Sequence, residues 1–423
     1  MRRICLTVVG MYWMLLHAFS QVSTTDTSGY KIKPLRVDEI NLLTGYYSQN
    51  GDHSPITGGI GTEQMTDLSN GLELKMVGWD ARQRKNTLTM GFGLDHHTAA
   101  SQAFVSKTGA SRTVGTRIYP SLDWSIENDQ KGTSFGLGTI YSSEFNYHSL
   151  GLSADFSKKT NHNGEFSTKL TSYFDQVKLI YPSELIPLDT IRNSSDSVVS
   201  ITTASGRTVS LSSGTGPGSG VHSSIPSSPR NSYAASFSFS QIINQRLQGS
   251  VEVDLVYQSG YLGLPFHRVY FADGSVHVES LPNQRFKLPI GVRLNYFFGD
   301  NIILRSYYRF YVDDWGLWSH TAGLELPIKI SPFFSVSPFY RYYVQNAVGY
   351  FAPYESHTQQ DQYYSSNFAL SAFSSQFIGM GIRLAPPNGI MHTSLNSLEV
   401  RYGHYTQTTG LVSDAISMEL RFK

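Results

Sequence analysis

The chain has 423 residues, with 33 Lys and Arg against 32 Asp and Glu, so its formal net charge is +1. A balance this close to neutral speaks against a nucleic-acid binder, and no nucleic-acid partner is expected. Charged residues make up 15% of the chain, against roughly 25% in ordinary soluble domains, while 26 Tyr, 24 Phe and 37 Gly point towards an aromatic, glycine-rich β-protein.

Residues 1–20 read as a secretory signal. Arg2 and Arg3 supply the positive start. Ile4 to Phe19 form an apolar stretch too short and too N-terminal for a spanning helix. Ala18 and Ser20 put small residues at the −3 and −1 positions of a cleavage before Gln21. The only cysteine, Cys5, lies inside this segment, so the mature chain is expected to hold no disulfide, thiolate metal site or thiol nucleophile. Residues 21–34 read as a flexible periplasmic tail. Beyond the signal no run approaches the ~18 apolar residues of a transmembrane helix.

From residue 35 to 423 the dominant signal is alternation. In a lipid-spanning barrel every second side chain faces hydrocarbon and the others face the lumen. Residues 116–127 put Ile118, Leu122, Trp124 and Ile126 opposite Arg117, Asp123 and Glu127. In 250–258, Val251, Val253, Leu255 and Tyr257 oppose Glu252 and Asp254. Residues 286–298 set Phe286, Leu288, Ile290, Val292, Leu294, Tyr296 and Phe298 against Arg285, Lys287, Arg293 and Asn295. In 302–313 one face is Ile302, Leu304, Ser306, Tyr308, Phe310 and Val312, and the other carries Arg305, Tyr307, Arg309, Tyr311 and Asp313. In 320–330, Leu324, Leu326, Ile328 and Ile330 oppose Glu325 and Lys329. In 334–345, Phe334, Val336, Tyr340, Tyr342 and Val344 oppose Arg341, Tyr343 and Gln345. The last strand sets Ile416, Met418, Leu420 and Phe422 against Glu419 and Arg421. Such an amphipathic, aromatic-ended strand suits recognition by barrel-assembly machinery.

Strands are predicted near 37–48, 67–79, 87–97, 114–127, 132–142, 146–158, 165–178, 231–243, 248–259, 285–298, 301–313, 319–330, 333–345, 374–385, 396–406 and 412–422. Tight joints fall at Asp80–Asn86, Asn128–Lys131, Lys159–Gly164, Asn244–Leu247, Gly299–Asp300 and Ser331–Pro332, with a slightly longer one at Ala385–Leu395. Longer segments at 49–66, 98–113, 179–230, 260–284 and 346–373 lie between them. Short periplasmic turns and long outer loops are the habit of outer-membrane barrels. The expected fold is therefore all-β, an antiparallel up-and-down transmembrane barrel of about 16 strands, with about 14 or 18 as alternatives. The Ser-, Gly- and Pro-rich part of the insertion at about 181–230 cannot bury enough apolar surface to order itself and reads as a mobile outer loop.

Several strings carry a resemblance. They include YYSQNGDHSPITGGIGTEQMTD (46–67), TRIYPSLDWS (116–125), YFDQVKLIYPSE (173–184), PFHRVYFADGS (265–275), LPNQRFKLPIG (281–291), LRSYYRFYVDDWG (304–316), SPFYRYY (337–343), YFAPY (350–354) and ELRFK (419–423). Together they resemble the "domain of unknown function 3570" family of outer-membrane proteins common in Bacteroidetes. The resemblance spans the mature chain and implies a β-barrel in the outer membrane, in contact with its lipid. It supplies no substrate and no catalytic residue. It also implies a periplasmic redox partner, because genes of that family stand near flavin-transfer and thioredoxin-like genes.

The lumen is the first candidate site. Arg285, Arg293, Arg305, Arg309 and Arg341 share its predicted face with Tyr307 and Tyr311 and with Glu252, Asp254, Glu325, Glu399 and Arg401. One reading is a constriction whose cations bias a pore towards anions. The other is an inter-strand ion-pair network that stiffens or fills the lumen, with Tyr307, Tyr311 and Tyr343 packed between. Histidines cluster towards the outer end, and His53, His97 and His320 are the metal candidates there, although no pair has a diagnostic spacing. His96 and His97 point to opposite faces, so they do not chelate together. No metal or cofactor is expected. Asp313, Asp314, Asp95, His97 and His320 are the only set from which an outer-rim hydrolase could be built, and neither a GxSxG elbow nor an HExxH helix is present. The segment Pro265–Ser280 is too aromatic for a passive linker; it either folds inward as a constriction or forms a hairpin above the barrel. The function expected is a porin-like conduit without catalysis. A structural barrel with a filled lumen and partner-binding loops is the alternative, and the rim hydrolase a distant third.

Overall fold

The computed structural model of the protein describes residues 32–98, 114–185, 198–202, 208–212 and 226–423. The expected signal at 1–20, most of the tail at 21–34 and much of the insertion at 181–230 lie outside the described residues.

Period-two alternation becomes a ring of long antiparallel strands. They run β1 (Lys33–Asn50), β2 (Met65–Trp79), β3 (Lys85–Thr98), β4 (Val114–Asn128), β5 (Thr133–Ser143), β6 (Tyr147–Lys159) and β7 (Gly164–Lys178). A short hairpin, β8 (Val198–Thr202) with β9 (Thr208–Ser212), lies in the insertion. The ring resumes with β10 (Ser227–Asn244) and β11 (Leu247–Gly260). A second hairpin, β12 (Arg268–Tyr270) with β13 (Val276–Val278), follows. The remainder are β14 (Gln284–Phe298), β15 (Ile302–Asp313), β16 (Trp318–Glu325), β17 (Ile328–Ser331), β18 (Phe334–Gln345), β19 (Phe373–Leu384), β20 (Leu395–Gln407) and β21 (Val412–Phe422).

β16 and β17 are two halves of one stave. Arg305 pairs with Glu325 and Ile302 with Ile328, so the register on β15 runs through the gap unchanged. Pro327 sits in that gap and has no N–H for the ladder. Its carbonyl still accepts from the Ile303 N–H at 3.0 Å. Counted this way the barrel has 16 staves, one at each place where alternation predicted it. It closes where β1 meets β21, in an unbroken register from Ile40 opposite Phe422 to Asn50 opposite Val412.

Both termini of the ring share one end, the terminal end, with turns that are tight except for the longer connection 385–394. The long connections share the other, the loop end. Not every connection there is long: Glu144–Asn146, Asp314–Leu317 and Thr408–Leu411 are as tight as the turns below.

The apolar side chains are on the outside. Leu72, Leu137, Leu170, Leu294, Leu324, Ile378, Val400 and Ile416 are all exposed, and they form a belt around the ring. Tyr46, Tyr141, Tyr233, Tyr257, Tyr308, Trp318 and Tyr402 border it towards the loop end, and Phe135, Phe156, Phe166, Phe239 and Phe298 towards the terminal end. Water does not tolerate such a surface; hydrocarbon between two aromatic girdles does. Among the described residues only seven hydrophobic side chains are buried, and six of them, Val177, Val269, Phe271, Trp315, Leu317 and Val348, belong to the loop end.

There the connections 51–64, 261–283 and 346–372 fold onto one another. The segment Pro265–Ser280 adopts the hairpin alternative. Its Phe271 bridges to His357, Ser280 pairs with Tyr364, and Phe351 pairs with Ser365. The β12 residue Arg268 is buried and reaches Glu184 at 2.6 Å and the Ile56 carbonyl at 2.9 Å. At the centre is Glu279, whose carboxylate accepts from the Leu264 N–H at 3.2 Å and the Ser365 hydroxyl at 2.5 Å, and lies 3.2 Å from His267 Nδ1. The assembly sits on the mouth of the barrel: Trp315, Leu317 and Val348 pack against the β15 side chain Tyr311, and Gln345 of β18 donates to the Ala369 and Ser371 carbonyls.

Two predictions follow from this architecture. Leu324, 53% exposed in the middle of its stave, faces hydrocarbon, so Leu324→Arg should cost about 2–4 kcal/mol of barrel stability in lipid vesicles. Phe310→Arg, nearer the loop end, should cost less; urea titrations followed by Trp fluorescence measure both. Burial would raise the Glu279 carboxyl, but its bonds to His267, Ser365 and the Leu264 N–H outweigh that and hold it below its ordinary range. Its contribution is then fully present above the unfolded carboxylate value of about 4.3 and is lost as pH falls through the lower folded value. Limited proteolysis of the mouth loops should accelerate below about pH 4, and Glu279→Gln should flatten that dependence.

Candidate functional site in the barrel lumen

The strand registers bring the inward positions of β14 to β21 together as a cationic and aromatic wall. Arg293 on β14 and Glu252 on β11 face each other at 3.4 Å, and the Arg293 guanidinium lies over the Tyr307 ring of β15 at 4.9 Å. Arg305 reaches Glu325 on the next stave at 3.6 Å. Arg401 on β20 reaches the same Glu325 at 3.0 Å and its own strand neighbour Glu399 at 3.2 Å. β18 and β19 separate β20 from β16, so the Arg401–Glu325 contact spans two staves on the lumen side. Towards the terminal end, Arg421 continues the network to Glu419 at 3.2 Å and to Glu39 of β1 at 3.5 Å.

These pairs are wet. Arg293 is 56% and Arg305 51% exposed. Exposed ion pairs are worth about 0–1 kcal/mol, so an incoming anion competes for these guanidinium groups at little cost. Among the described residues, Arg309 on β15 and Arg341 on β18 have no carboxylate partner within ion-pair distance. The wall encloses a recess of about 660 Å³ bordered by Arg293, Arg305, Tyr307, Glu325, Arg341, Phe339, Phe377 and Arg401.

On the other side of the ring, β4 to β7 line a smaller recess, about 230 Å³, with Ser121, Asp123, Gly138, Ser153, Lys169 and Thr171. Its inward glycines make room for carboxylates: a Cβ on Gly138 would overlap Asp123, and one on Gly136 would overlap Asp155. A cation-rich wall therefore faces a wall bearing Asp123 and Asp155 with Lys169 opposite Asp155.

Of the residues singled out from sequence, Arg293, Arg305, Tyr307, Glu325, Arg341, Glu399 and Arg401 come together on this wall, with Glu252 at its edge and Arg309 one pair further towards the mouth. Asp254 shares the Glu252 face, opposite Ser236 of β10. Arg285 and Tyr311 belong elsewhere. Arg285 donates to Asp313 through Nε at 2.9 Å and Nη2 at 2.5 Å and stacks on Trp315 at 4.2 Å. Tyr311 donates to the same carboxylate at 2.7 Å. Asp313 also accepts the Trp315 and Leu317 N–H groups, each at 3.0 Å, so this knot holds the Asp314–Leu317 turn under the mouth assembly.

The three candidate metal histidines stay apart. His53 stacks on Phe368 at 3.7 Å, His97 faces Glu144 at 3.2 Å, and His320 lies on the outer face among Tyr308, Phe310 and Trp318. No group of three or more His, Asp or Glu side chains among the described residues is arranged to hold a metal. The rim set for hydrolysis is equally scattered: Asp313 is saturated, Asp95 accepts from Tyr119 at 2.9 Å, and His320 points outward. Phe339 and Phe377 were missed. The available signal was an aromatic on the polar face of a strand; Phe339 pairs with Gly379, while Phe377 pairs with Arg341 and Tyr405.

No protein with a curated description matches the chain. Among solved structures it resembles the outer membrane protein OprD from Pseudomonas aeruginosa, at 6% identity and a TM-score of 0.42, over 95% of this chain and 97% of that one. It resembles Pseudomonas aeruginosa OpdQ at 9% identity and 0.40, over 93% and 98%. It also resembles a structure described as a bacterial polysaccharide outer membrane secretin at 10% and 0.41, over 91% and 98%. These are likenesses of barrel outline and bear on no solute. The family model described as "Protein of unknown function (DUF3570)" matches residues 80–413, which is most of the ring from the β2–β3 turn to the last strand, and the chain belongs to that family.

Proposed function

We propose that the protein is a porin-like conduit of the bacterial outer membrane whose lumen favours anionic solutes. The observation that carries this reading is the pair of lumen arginines, Arg309 and Arg341, that no carboxylate among the described residues neutralises, set beside the exposed and weakly paired Arg293 and Arg305. The positive charge is gathered on one side of the lumen, while Lys169 offsets Asp123 and Asp155 on the other, and such an asymmetry orients a charged solute as it passes. The belt of exposed apolar side chains supports a membrane location. The signal read at 1–20 supports export, with the terminal end towards the periplasm and the loop end outside. The outward row Ile416, Met418, Leu420 and Phe422 on β21 is the surface on which assembly machinery would recognise the chain.

A second reading, a structural barrel with an occupied lumen, draws on the mouth assembly and on the Arg401–Glu325 contact between non-adjacent staves. Planar-bilayer recording separates the two. The conduit reading expects stable unitary currents and an anion preference that falls several-fold in Arg309→Ala, with the folded band on unheated gels retained. Absence of current from correctly folded protein, or an Arg309→Ala barrel that loses its fold, would decide for the structural reading.

A further inference from the structure

The recess of the cationic wall has an internal order that simple charge does not explain. Arg341 lies over the Phe377 ring at 5.0 Å, Phe377 lies against Phe339 at 5.3 Å between centroids, and Arg401 lies over Phe339 at 5.0 Å. The four side chains come from β18, β19 and β20 and form one continuous stack of contacts, arginine, ring, ring, arginine, in which the two rings are tilted 42° to one another. Two glycines seat it. A Cβ on Gly403 would overlap the Phe377 ring, and one on Gly379 would overlap Phe339. The registers put Phe339 opposite Gly379 and Gly379 opposite Gly403, so the rings lie back against the wall. Phe339 and Phe377 are only partly buried.

The two ends of the stack differ. Arg401 is neutralised by Glu325 at 3.0 Å and Glu399 at 3.2 Å. Arg341 is exposed and lies over the Phe377 face, and no carboxylate among the described residues pairs with it. A guanidinium held over a ring by its charge keeps its N–H donors free for the fork that suits a carboxylate. A ligand that fits this order has one anionic head for Arg341 and a flat apolar body for the ring pair. A second anionic group would meet Glu325 and Glu399, and a cationic head would meet Arg341.

We propose that this recess is a binding site for small arene carboxylates, with the carboxylate on Arg341 and the ring on Phe377 and Phe339. The assignment names a substrate class for the wall already read as a conduit and rests on that reading for the ligand's route. Its test is independent of current. Purified barrel in detergent is titrated calorimetrically with benzoate, acetate and benzylammonium, with folding checked by the heat-dependent gel shift. Benzoate is expected to bind at least tenfold more tightly than acetate, and benzylammonium not at all. Arg341→Gln should weaken benzoate about tenfold or more, the usual consequence of losing a charged hydrogen-bond partner. Phe377→Leu should bring benzoate close to acetate while leaving acetate unchanged. No benzoate binding by the native barrel, equal binding of benzylammonium, or undiminished benzoate binding in Arg341→Gln would overturn the proposal. If Arg341→Gln does not fold, Phe377→Leu decides through the benzoate-to-acetate ratio, and an unchanged ratio overturns it. A barrel that binds benzoate but carries no current would remove the conduit and leave the site standing.

Discussion

Closure of the ring is the constraint on which everything else depends. In hydrocarbon an unpaired strand edge would leave a row of N–H and C=O groups without partners, at several kcal/mol each by order of magnitude. The ladder between β1 and β21, from Ile40 with Phe422 to Asn50 with Val412, removes the last free edge. The same requirement explains the tolerance of Pro327. Its missing N–H interrupts one ladder position, while its carbonyl and the Leu326 N–H still find partners on either side.

Once the ring is closed, polarity is inverted relative to a soluble protein. Apolar side chains need no internal core, so charge can be spent on the inside, where water and neighbouring strands stabilise it. The inward glycines shape that interior. Gly379 and Gly403 let aromatic rings lie against the wall, and Gly136 and Gly138 do the same for carboxylates. Among the described residues the only conventional core is at the mouth, where Val269, Phe271 and the Trp315, Leu317 and Val348 cluster hold three connections together around Glu279. The mouth assembly and the lumen wall meet at Asp313, which takes Arg285 and Tyr311 out of the lumen and commits them to the turn.

The strands were legible because one face of each must be apolar along its length; Leu294, Tyr308 and Leu324 report their orientation without knowledge of any neighbour. The same alternation shows that His320 shares the face of Leu324, so its outward position was legible too. Contacts between strands were not. Whether Arg285 meets Asp313 or solvent depends on their relative height in the register, which period two does not fix. Arg401 and Glu325 are 76 residues apart with two staves between them. The stack of Arg341, Phe377, Phe339 and Arg401 needs three registers at once. The connections 51–64, 261–283 and 346–372 could be recognised as long, yet their convergence rests on non-local pairs such as Phe271 with His357.

The central claim is that the inward face of β14 to β21 borders water and is electropositive. The sole cysteine, Cys5, precedes the ring, so single thiols can be introduced without background. Ser417, opposite Arg401 on the lumen face, and its outward neighbour Met418 are the informative pair. In lipid vesicles Ser417→Cys should react with small water-soluble thiosulfonates, the anionic reagent faster than the cationic one, while Met418→Cys stays unmodified. An inert Ser417→Cys, or a faster reaction with the cationic reagent, would contradict the account.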